Sequence, residues 1–113
     1  MNMMKTGTRL KSGDVILSKV QFTDTYEIKI RPALVLYEEF DNIVVAGITS
    51  NLDMKGIRLT KKDGAFKESV IKLNYIFTVS SAMVEKVLFT LKDNKKMEVY
   101  DALIEKIDVF KNV

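Results

Sequence analysis

The groups available for chemistry in this sequence are arginine, lysine, hydroxyl and carboxylate side chains, because its 113 residues include no histidine and no cysteine. Histidine is the commonest general base and metal ligand, and cysteine supplies thiolates for catalysis and for zinc sites. No pair of acidic residues shows the spacing of metal ligands. We therefore expect no metal and no cofactor. The remaining groups suit the binding of a phosphate or another oxyanion.

Arg31 and the pair Thr49-Ser50 are the candidate phosphate ligands. Arg31 begins one β-rich run and Thr49-Ser50 ends the next, with Asp41-Asn42 between them as a two-residue turn. If the runs pair as a hairpin, these side chains reach the same open end. A guanidinium group beside two hydroxyls can hold two oxygens of a phosphate. The alternative is a surface arginine near an ordinary turn.

Positive charge is concentrated between residues 55 and 72, where six basic residues stand against two acidic ones. A basic segment in a chain of net charge +3 indicates a polyanionic partner. The alternative is a solvated surface of strand ends and loops. The six basic residues are Lys55, Arg58, Lys61, Lys62, Lys67 and Lys72.

Short strands are predicted along most of the chain, because apolar and polar residues alternate with a period of two. Pro32 lies at the start of its strand, where a missing N–H is tolerated. Strands this short and closely spaced predict a small barrel or a tightly curled sheet. The predicted strands cover residues 14–22, 31–37, 43–48, 57–60, 69–73 and 76–79, with loops at 23–29 and 61–67.

Two helices are predicted after these strands. Ser80 or Ser81 can cap a short helix that runs through Val87, and Asp93 can cap a longer one. The longer helix carries an apolar stripe at three- and four-residue spacing, which we expect to pack against the sheet. The stripe consists of Met97, Tyr100, Leu103 or Ile104, and Ile107.

A single domain is expected from the length of the chain. Residues 1–12 are predicted to be a flexible N-terminal segment and residues 13–113 the folded domain. Hydrophobic residues at 47% and charged residues at 29% exclude a disordered chain. The apolar runs reach five or six residues, far short of a membrane span, and the first ten residues have no apolar core of a signal peptide. We expect a cytoplasmic protein.

Four sequence blocks, in order over roughly residues 13–90, resemble the PemK/MazF family of toxins from type II toxin–antitoxin pairs. One block alone would carry little information, but four in order and at matching spacing are fairly specific. The closing helix also suits the family. The blocks are Gly13-Asp14-Val15, Lys29-x-Arg31-Pro32-Ala33-Leu34-Val35-Leu36, Ile48-Thr49-Ser50-Asn51 and Lys67-Glu68-Ser69-Val70.

The resemblance implies a mainly β fold with a C-terminal helix, an SH3-like barrel of five to seven short strands that forms a homodimer. It also implies metal-independent cleavage of single-stranded RNA such as mRNA, by attack of the 2′-OH, and a cognate antitoxin with an acidic or apolar tail. The implied catalytic residues are Arg31 and Thr49, with Ser50 alongside. The RNA-binding set comprises Lys29, Lys55, Arg58, Lys61, Lys62, Lys67, Lys72, Asn74 and Tyr75.

The sequence departs from the family where some members have a carboxylate that acts as base. Lys72 keeps the basic position of that strand, but Asn74 carries an amide that cannot accept a proton in this way. Tyr75 replaces a usual glutamine. Asp24 and Glu27, in the loop between the first two strands, are candidates for a substitute base, and the sequence leaves the identity of the base open.

Two functions of other classes stay open. The same barrel serves toxins of the CcdB type, which poison gyrase by binding protein and have no catalytic site. Arg31 with Thr49 and Ser50 argues against such a toxin, since it needs neither. A catalytically inactive nucleic-acid binder is the second alternative, and the missing carboxylate at Asn74 favours it.

Overall fold

The computed structural model describes residues 10–21 and 25–112, which form six β-strands, one α-helix and three short 3-10 helices. The strands are β1 (Asp14–Gln21), β2 (Ile28–Glu39), β3 (Asn42–Thr49), β4 (Ile57–Leu59), β5 (Ser69–Ser80) and β6 (Val84–Thr90). The α-helix is α1 (Asp93–Ile107), and the 3-10 helices span Lys61–Asp63, Ser81–Met83 and Asp108–Lys111.

All six strands belong to one antiparallel sheet in the order β4-β5-β3-β2-β1-β6, curled into a half-barrel. This confirms the predicted fold class, a mainly β barrel-like domain with a C-terminal helix. Strand β2 begins at Ile28, earlier than predicted, and pairs with β1 from Gln21 opposite Ile28 onward. Phe22, at the end of the predicted first strand, and residues 1–9 of the predicted flexible segment lie outside the described residues.

Two apolar clusters form because adjacent residues of each strand face opposite sides of the sheet. One cluster, beneath α1, includes Val15, Leu34, Ala46, Ile71 and Leu73, together with Val99 of the helix. The other fills the opposite, concave side. Its members are Leu10, Ile16, Ala33, Val35, Ile43, Val45, Val79 and Val84. A fully buried aliphatic side chain contributes about 1.5–3 kcal/mol, so the two clusters are the main source of stability.

The β2–β3 hairpin has the predicted two-residue turn, but one position earlier than expected. Glu39 pairs with Asn42, so the turn consists of Phe40 and Asp41 rather than Asp41-Asn42. Phe40 has φ 57°, and a positive φ is what the first position of the primed hairpin turns requires. The shift reflects a bulge in β2, since Val35 pairs with Val45 and Tyr37 with Val44.

The predicted helix from Ser80 or Ser81 through Val87 is wrong. A single 3-10 turn, Ser81–Met83, leads directly into β6. The reason is tertiary: β1 needs a second neighbour, and its buried Ser18 donates a hydrogen bond to the carbonyl of Met83 at 3.1 Å. At the other end of β6, Thr90 donates to the buried carboxylate of Asp14 at 2.7 Å.

Helix α1 begins at Asp93, whose predicted capping role falls to Lys92 without a side-chain hydrogen bond. The predicted stripe packs against the sheet only at Leu103, because the helix rests on the sheet through Val99, Ala102 and Leu103. The other members of the stripe line an open apolar groove of about 750 Å³ between α1 and the sheet. They are half exposed, namely Met97, Tyr100, Ile104 and Ile107. With 15 residues, α1 is too short to cross a membrane, and no other helix in the described ranges can do so.

A polar clamp joins α1 to the segment that follows β4. The carboxylate of Asp63 accepts hydrogen bonds from the backbone N–H of Thr60 at 2.8 Å and from its hydroxyl at 3.0 Å, and lies 3.8 Å from Nζ of Lys95. Burial opposes ionisation, but these hydrogen bonds and the charges of Lys95 and Lys92 outweigh it and lower the pKa of Asp63 below 3.8. The ionised form therefore stabilises the fold.

Replacing Asp63 by Ala is expected to lower the free energy of unfolding by about 1–2 kcal/mol at neutral pH, since two donors lose their acceptor. Because the folded pKa lies below the unfolded one, this contribution is full above pH 3.8 and is lost as the pH falls through the folded value. In urea unfolding, the difference in the free energy of unfolding between wild type and Asp63→Ala should become smaller as the solution is acidified. Asp53→Ala, at an exposed loop position, is the control. A difference that does not change with pH would contradict stabilisation of the fold by the ionised carboxylate.

Candidate functional site

The β2–β3 ladder runs from the turn to the pair Ala33–Gly47. Arg31 and Thr49 each lie two residues beyond this pair, on the side of the sheet that Ala33 and Gly47 face. Thr49 in turn pairs with Val70 of β5, and Val70 with Arg58 of β4. Because paired residues of antiparallel strands share a face, these side chains form one row across the concave side of the sheet.

A cavity of about 140 Å³ lies beside Arg31 on this face. Its floor is apolar and its rim carries the two cations Arg31 and Lys72. Lys72 pairs with Gly47, two residues along β3 from Thr49, so it shares the face of Arg31. The full lining is Val20, Arg31, Pro32, Gly47, Ile48, Lys72, Tyr75 and Phe77. Two positive groups at the rim of a small, partly apolar cavity suit a phosphate with an attached planar group.

A wide bulge in β5 brings Tyr75 into this cavity. Gly47 pairs with Lys72, yet the preceding Ala46 pairs with Ile76, so three residues of β5 have no partner in β3. The sequence analysis placed a break between two strands here, but the structure shows one strand with an insertion. Leu73 of the bulge is buried under α1, whereas Tyr75 lies on the opposite, concave face. The bulge thus directs two neighbouring side chains to different sides of the sheet.

Thr49, the last residue of β3, and Ser50, which follows it, make local contacts. Oγ1 of Thr49 accepts a hydrogen bond from the N–H of Asn51 at 3.1 Å, and Ser50 is exposed at the end of the strand. Arg31 is exposed, and its Nη1 donates to the carbonyl of Ile30 at 3.3 Å. Arg31 and Ser50 are thus exposed and Thr49 is half-buried. Of these three predicted site residues, Arg31 lines the cavity, whereas Thr49 and Ser50 do not.

Of the two acidic residues named as candidate substitute bases, the structure describes one, Glu27. Glu27 is exposed just before β2, and its carboxylate lies 3.5 Å from Nζ of Lys29. Lys29 is two residues from Arg31 on the same strand, so it faces the same side of the sheet. Asp24 lies outside the described residues.

The remaining basic residues do not line the cavity. Arg58 shares the concave face and lies 3.7 Å from the carboxylate of Glu68. Lys61 and Lys62 are in the 3-10 helix near the start of α1, where the carbonyl of Lys62 accepts a hydrogen bond from Lys92 at 3.3 Å. The exposed Lys55, Lys67 and Asn74 lie in the β3–β4 loop, just before β5 and on the bulge, respectively.

Gly47 is the site residue that sequence reasoning missed. A methyl group at this position would lie 2.6 Å from Cδ2 of Tyr75, so the ring packs directly on the glycine backbone. Glycine inside an otherwise apolar strand is a known signal of such a close approach, and Ile43–Ile48 contains one. Pro32, Val20 and Phe77 also line the cavity, without a sequence signal that singles them out.

The described part of the chain contains no cluster of three or more acidic side chains that could hold a metal ion. The side chains that line the cavity are cationic, aromatic and aliphatic. This set can bind a phosphate and stabilise added negative charge on it, and it can contact an attached base.

Comparison with protein families gives a match over residues 11–107 to the PemK-like, MazF-like toxins of type II toxin–antitoxin systems. Among curated proteins, no sequence matches the chain significantly.

Solved structures with the same fold include a Mycobacterium tuberculosis toxin, MazF-mt6, at a TM-score of 0.67 and 18% identity over 84% of this chain and 96% of that one. Another is an endoribonuclease in complex with its cognate antitoxin, from Mycobacterial species, at a TM-score of 0.67 and 12% identity over 86% and 91%. At such low identity these likenesses concern the fold.

Proposed function

Because this chain belongs to the PemK-like, MazF-like toxins of type II toxin–antitoxin systems, we propose that it is an endoribonuclease that cleaves single-stranded RNA, such as mRNA in the cytoplasm, without a metal. The observation that supports this most directly is the cavity beside Arg31, with Lys72 and Tyr75 at its edge and Thr49 on the same side of the sheet as Arg31. These groups fit a phosphate and its neighbouring base.

The proposed reaction uses a nucleophile that RNA itself carries. The 2′-oxygen attacks the adjacent phosphorus, the bond from phosphorus to the 5′-oxygen of the next nucleotide breaks, and a 2′,3′-cyclic phosphate remains. The proton of the 2′-OH leaves to a base, and the 5′-oxygen gains one. The enzyme has to orient the 2′-OH in line and stabilise the added charge on phosphorus.

Arg31 is the group proposed to stabilise that charge. A guanidinium group has five N–H donors and no acceptor, so Arg31 acts as a donor to the phosphate oxygens rather than as a base. Thr49 and Ser50 offer hydroxyl groups at the same end of the hairpin and are proposed to hold the phosphate in line. Lys72, on the other rim of the cavity, adds a second positive charge.

The proton acceptor is proposed to be a carboxylate of the β1–β2 connection. Asn74 cannot serve, since an amide does not accept the proton. Glu27 is four residues from Arg31, about 13 Å along an extended strand. Asp24, in the same connection, is the other candidate.

A second copy of the chain is the proposed occupant of the open groove beside α1. The groove has a volume of about 750 Å³ and an apolar lining that the described part of one chain leaves uncovered. Two copies related by a twofold axis could bury each other's Tyr100, Ile104 and Ile107. The proposed partners are thus a second copy, RNA and a cognate antitoxin whose acidic or apolar tail competes with RNA for the concave face.

A non-catalytic nucleic-acid binder is the second candidate function. Asn74, in place of a carboxylate, is the residue that favours it. Such a protein would use the same cations and Tyr75 to bind RNA but would leave it intact. A CcdB-type gyrase poison has less support, because it needs neither Arg31 nor the hydroxyl pair.

Cleavage of a single-stranded RNA is expected to persist in excess EDTA and to leave 2′,3′-cyclic phosphate ends. An RNA with deoxyribose at the cleaved position should stay intact, because the nucleophile is missing. Gel electrophoresis and mass spectrometry of the fragments measure both. Cleavage that requires magnesium, or cleavage of the deoxy strand, would rule out the mechanism; intact RNA that is nevertheless bound would support the non-catalytic candidate.

Arg31→Ala and Thr49→Ala are expected to lower the cleavage rate about 100- to 1,000-fold, the usual effect of removing a donor to the transition state. Ser50→Ala should have a smaller effect. Arg31 and Ser50 are exposed and Thr49 is half-buried at a strand end, so the melting temperature should change little. Lys111→Ala, in the exposed 3-10 helix after α1, is the matched control for loss of a charge. Full activity in a folded Arg31→Ala variant would show that the site is elsewhere.

Sedimentation at micromolar concentration is expected to give twice the chain mass of 12.9 kDa. Ile104→Glu should yield a folded monomer, since the side chain is exposed in a single chain and a carboxylate in an apolar interface is strongly unfavourable. Glu105→Lys, at the neighbouring exposed position, is the control. A wild type that sediments as one chain, or an Ile104→Glu variant that stays dimeric, would place the groove outside the interface.

A further inference from the structure

Tyr75 is held in one orientation by three neighbours on the concave face. Its ring centroid lies 4.9 Å from that of Phe77 at an interplanar angle of 38°. Its edge rests on Gly47, where a methyl group would lie 2.6 Å from Cδ2 and 3.2 Å from Cε2. Lys72 Nζ lies 5.6 Å from the ring centroid. Yet 45% of Tyr75 stays exposed, so the ring offers free surface in the cavity.

The position of the ring follows from the bulge rather than from burial. Leu73, two residues earlier in the same bulge, is almost fully buried in the cluster under α1 and anchors the insertion. Tyr75 emerges on the other side, next to Arg31. Anchoring one residue of a bulge to present another is a common way to aim a side chain at a ligand.

We propose that Tyr75, seated on Gly47, is a stacking platform for one nucleobase next to the phosphate held by Arg31. This inference rests on the proposed binding of RNA, and it adds a base subsite and the residue that shapes it. A tyrosine ring stacks on any of the four bases, so the subsite positions a nucleotide more than it reads its identity. Lys72 moves to the phosphate when the base arrives, since its contact with the ring is long.

Gly47 is the positioning residue of this platform. Its φ lies outside the left-handed region, so alanine can adopt its backbone conformation and the conflict is only with the Tyr75 ring. The ring can move, because it is the end of a flexible side chain. Gly47→Ala therefore displaces the platform without removing the aromatic group.

Binding to an oligonucleotide that cannot be cleaved separates the subsite from the chemistry. The probe is a 2′-O-methyl RNA of about twelve nucleotides and mixed sequence, which lacks any free 2′-OH. Tyr75→Leu should weaken its binding about 5- to 150-fold, whereas Tyr75→Phe should bind within about twofold of wild type. Gly47→Ala should weaken binding several-fold, and in the double variant with Tyr75→Leu it should add nothing. Phe66→Leu, at a fully exposed aromatic residue far from the cavity, is the control.

A series of probes, each with one abasic position, supplies the matching change in the RNA. At one position, loss of the base should weaken binding to wild type by the same factor as the Tyr75→Leu substitution does. The Tyr75→Leu variant itself should bind that abasic probe as well as it binds the intact probe. This coupling identifies stacking even if Gly47→Ala proves unstable. The proposal would be overturned if, at every abasic position, the loss of affinity simply added to the loss caused by Tyr75→Leu. A Tyr75→Leu variant with unchanged affinity would also overturn it.

The outcomes for the nuclease and for the subsite are independent. If RNA is bound with this coupling but is never cleaved, the endoribonuclease proposal fails and the platform stands. If RNA is cleaved and Tyr75→Leu alters neither binding nor rate, the platform fails and the endoribonuclease stands. Weaker binding of an acidic antitoxin peptide, with RNA affinity unchanged, would assign Tyr75 to the antitoxin and likewise overturn the proposal.

Discussion

The mismatch between β3 and β5 is the constraint on which the rest of the site depends. Two neighbouring residues of β3, Ala46 and Gly47, pair with Ile76 and Lys72, and three residues of β5 lie between those partners. The insertion is stable because Leu73 fills the cluster under α1. In a regular ladder, Tyr75 would be paired and turned away from Gly47, and the cavity beside Arg31 would lose its aromatic wall.

The two sides of the sheet differ in packing and in exposure as a result. The side under α1 is covered by the helix at Val99 and Leu103, with an open groove beside them, and is fixed at one end by the clamp of Asp63 with Lys95. The concave side is packed near Ile16 and Ala33 and opens toward Arg31. The stable packing therefore lies directly behind the open cavity, and a rigid ladder positions the exposed cations.

The positive charge of the segment 55–72 does not form a single groove. Arg58 and Lys72 share the concave face with Arg31, whereas Lys61 and Lys62 stand next to the start of α1. Basic residues that are close together in the sequence therefore lie on two different sides of the domain. The charge of a segment predicts the sign of the charge on its partner. The turn at residues 61–63, however, decides which of the basic residues can contact that partner.

The fold class, the β2–β3 hairpin and the resemblance to the toxin family could be predicted from the amino-acid sequence, because they depend on local alternation and on short motifs. Only the tertiary structure decided that residues 84–90 form a strand and that the helix stripe at Ile104 stays uncovered. It also decided that Tyr75 rests on Gly47. Strand pairing between distant segments settles each of these points. A sequence window cannot show which edge lacks a partner, which face meets the core, or where a ladder takes up extra residues.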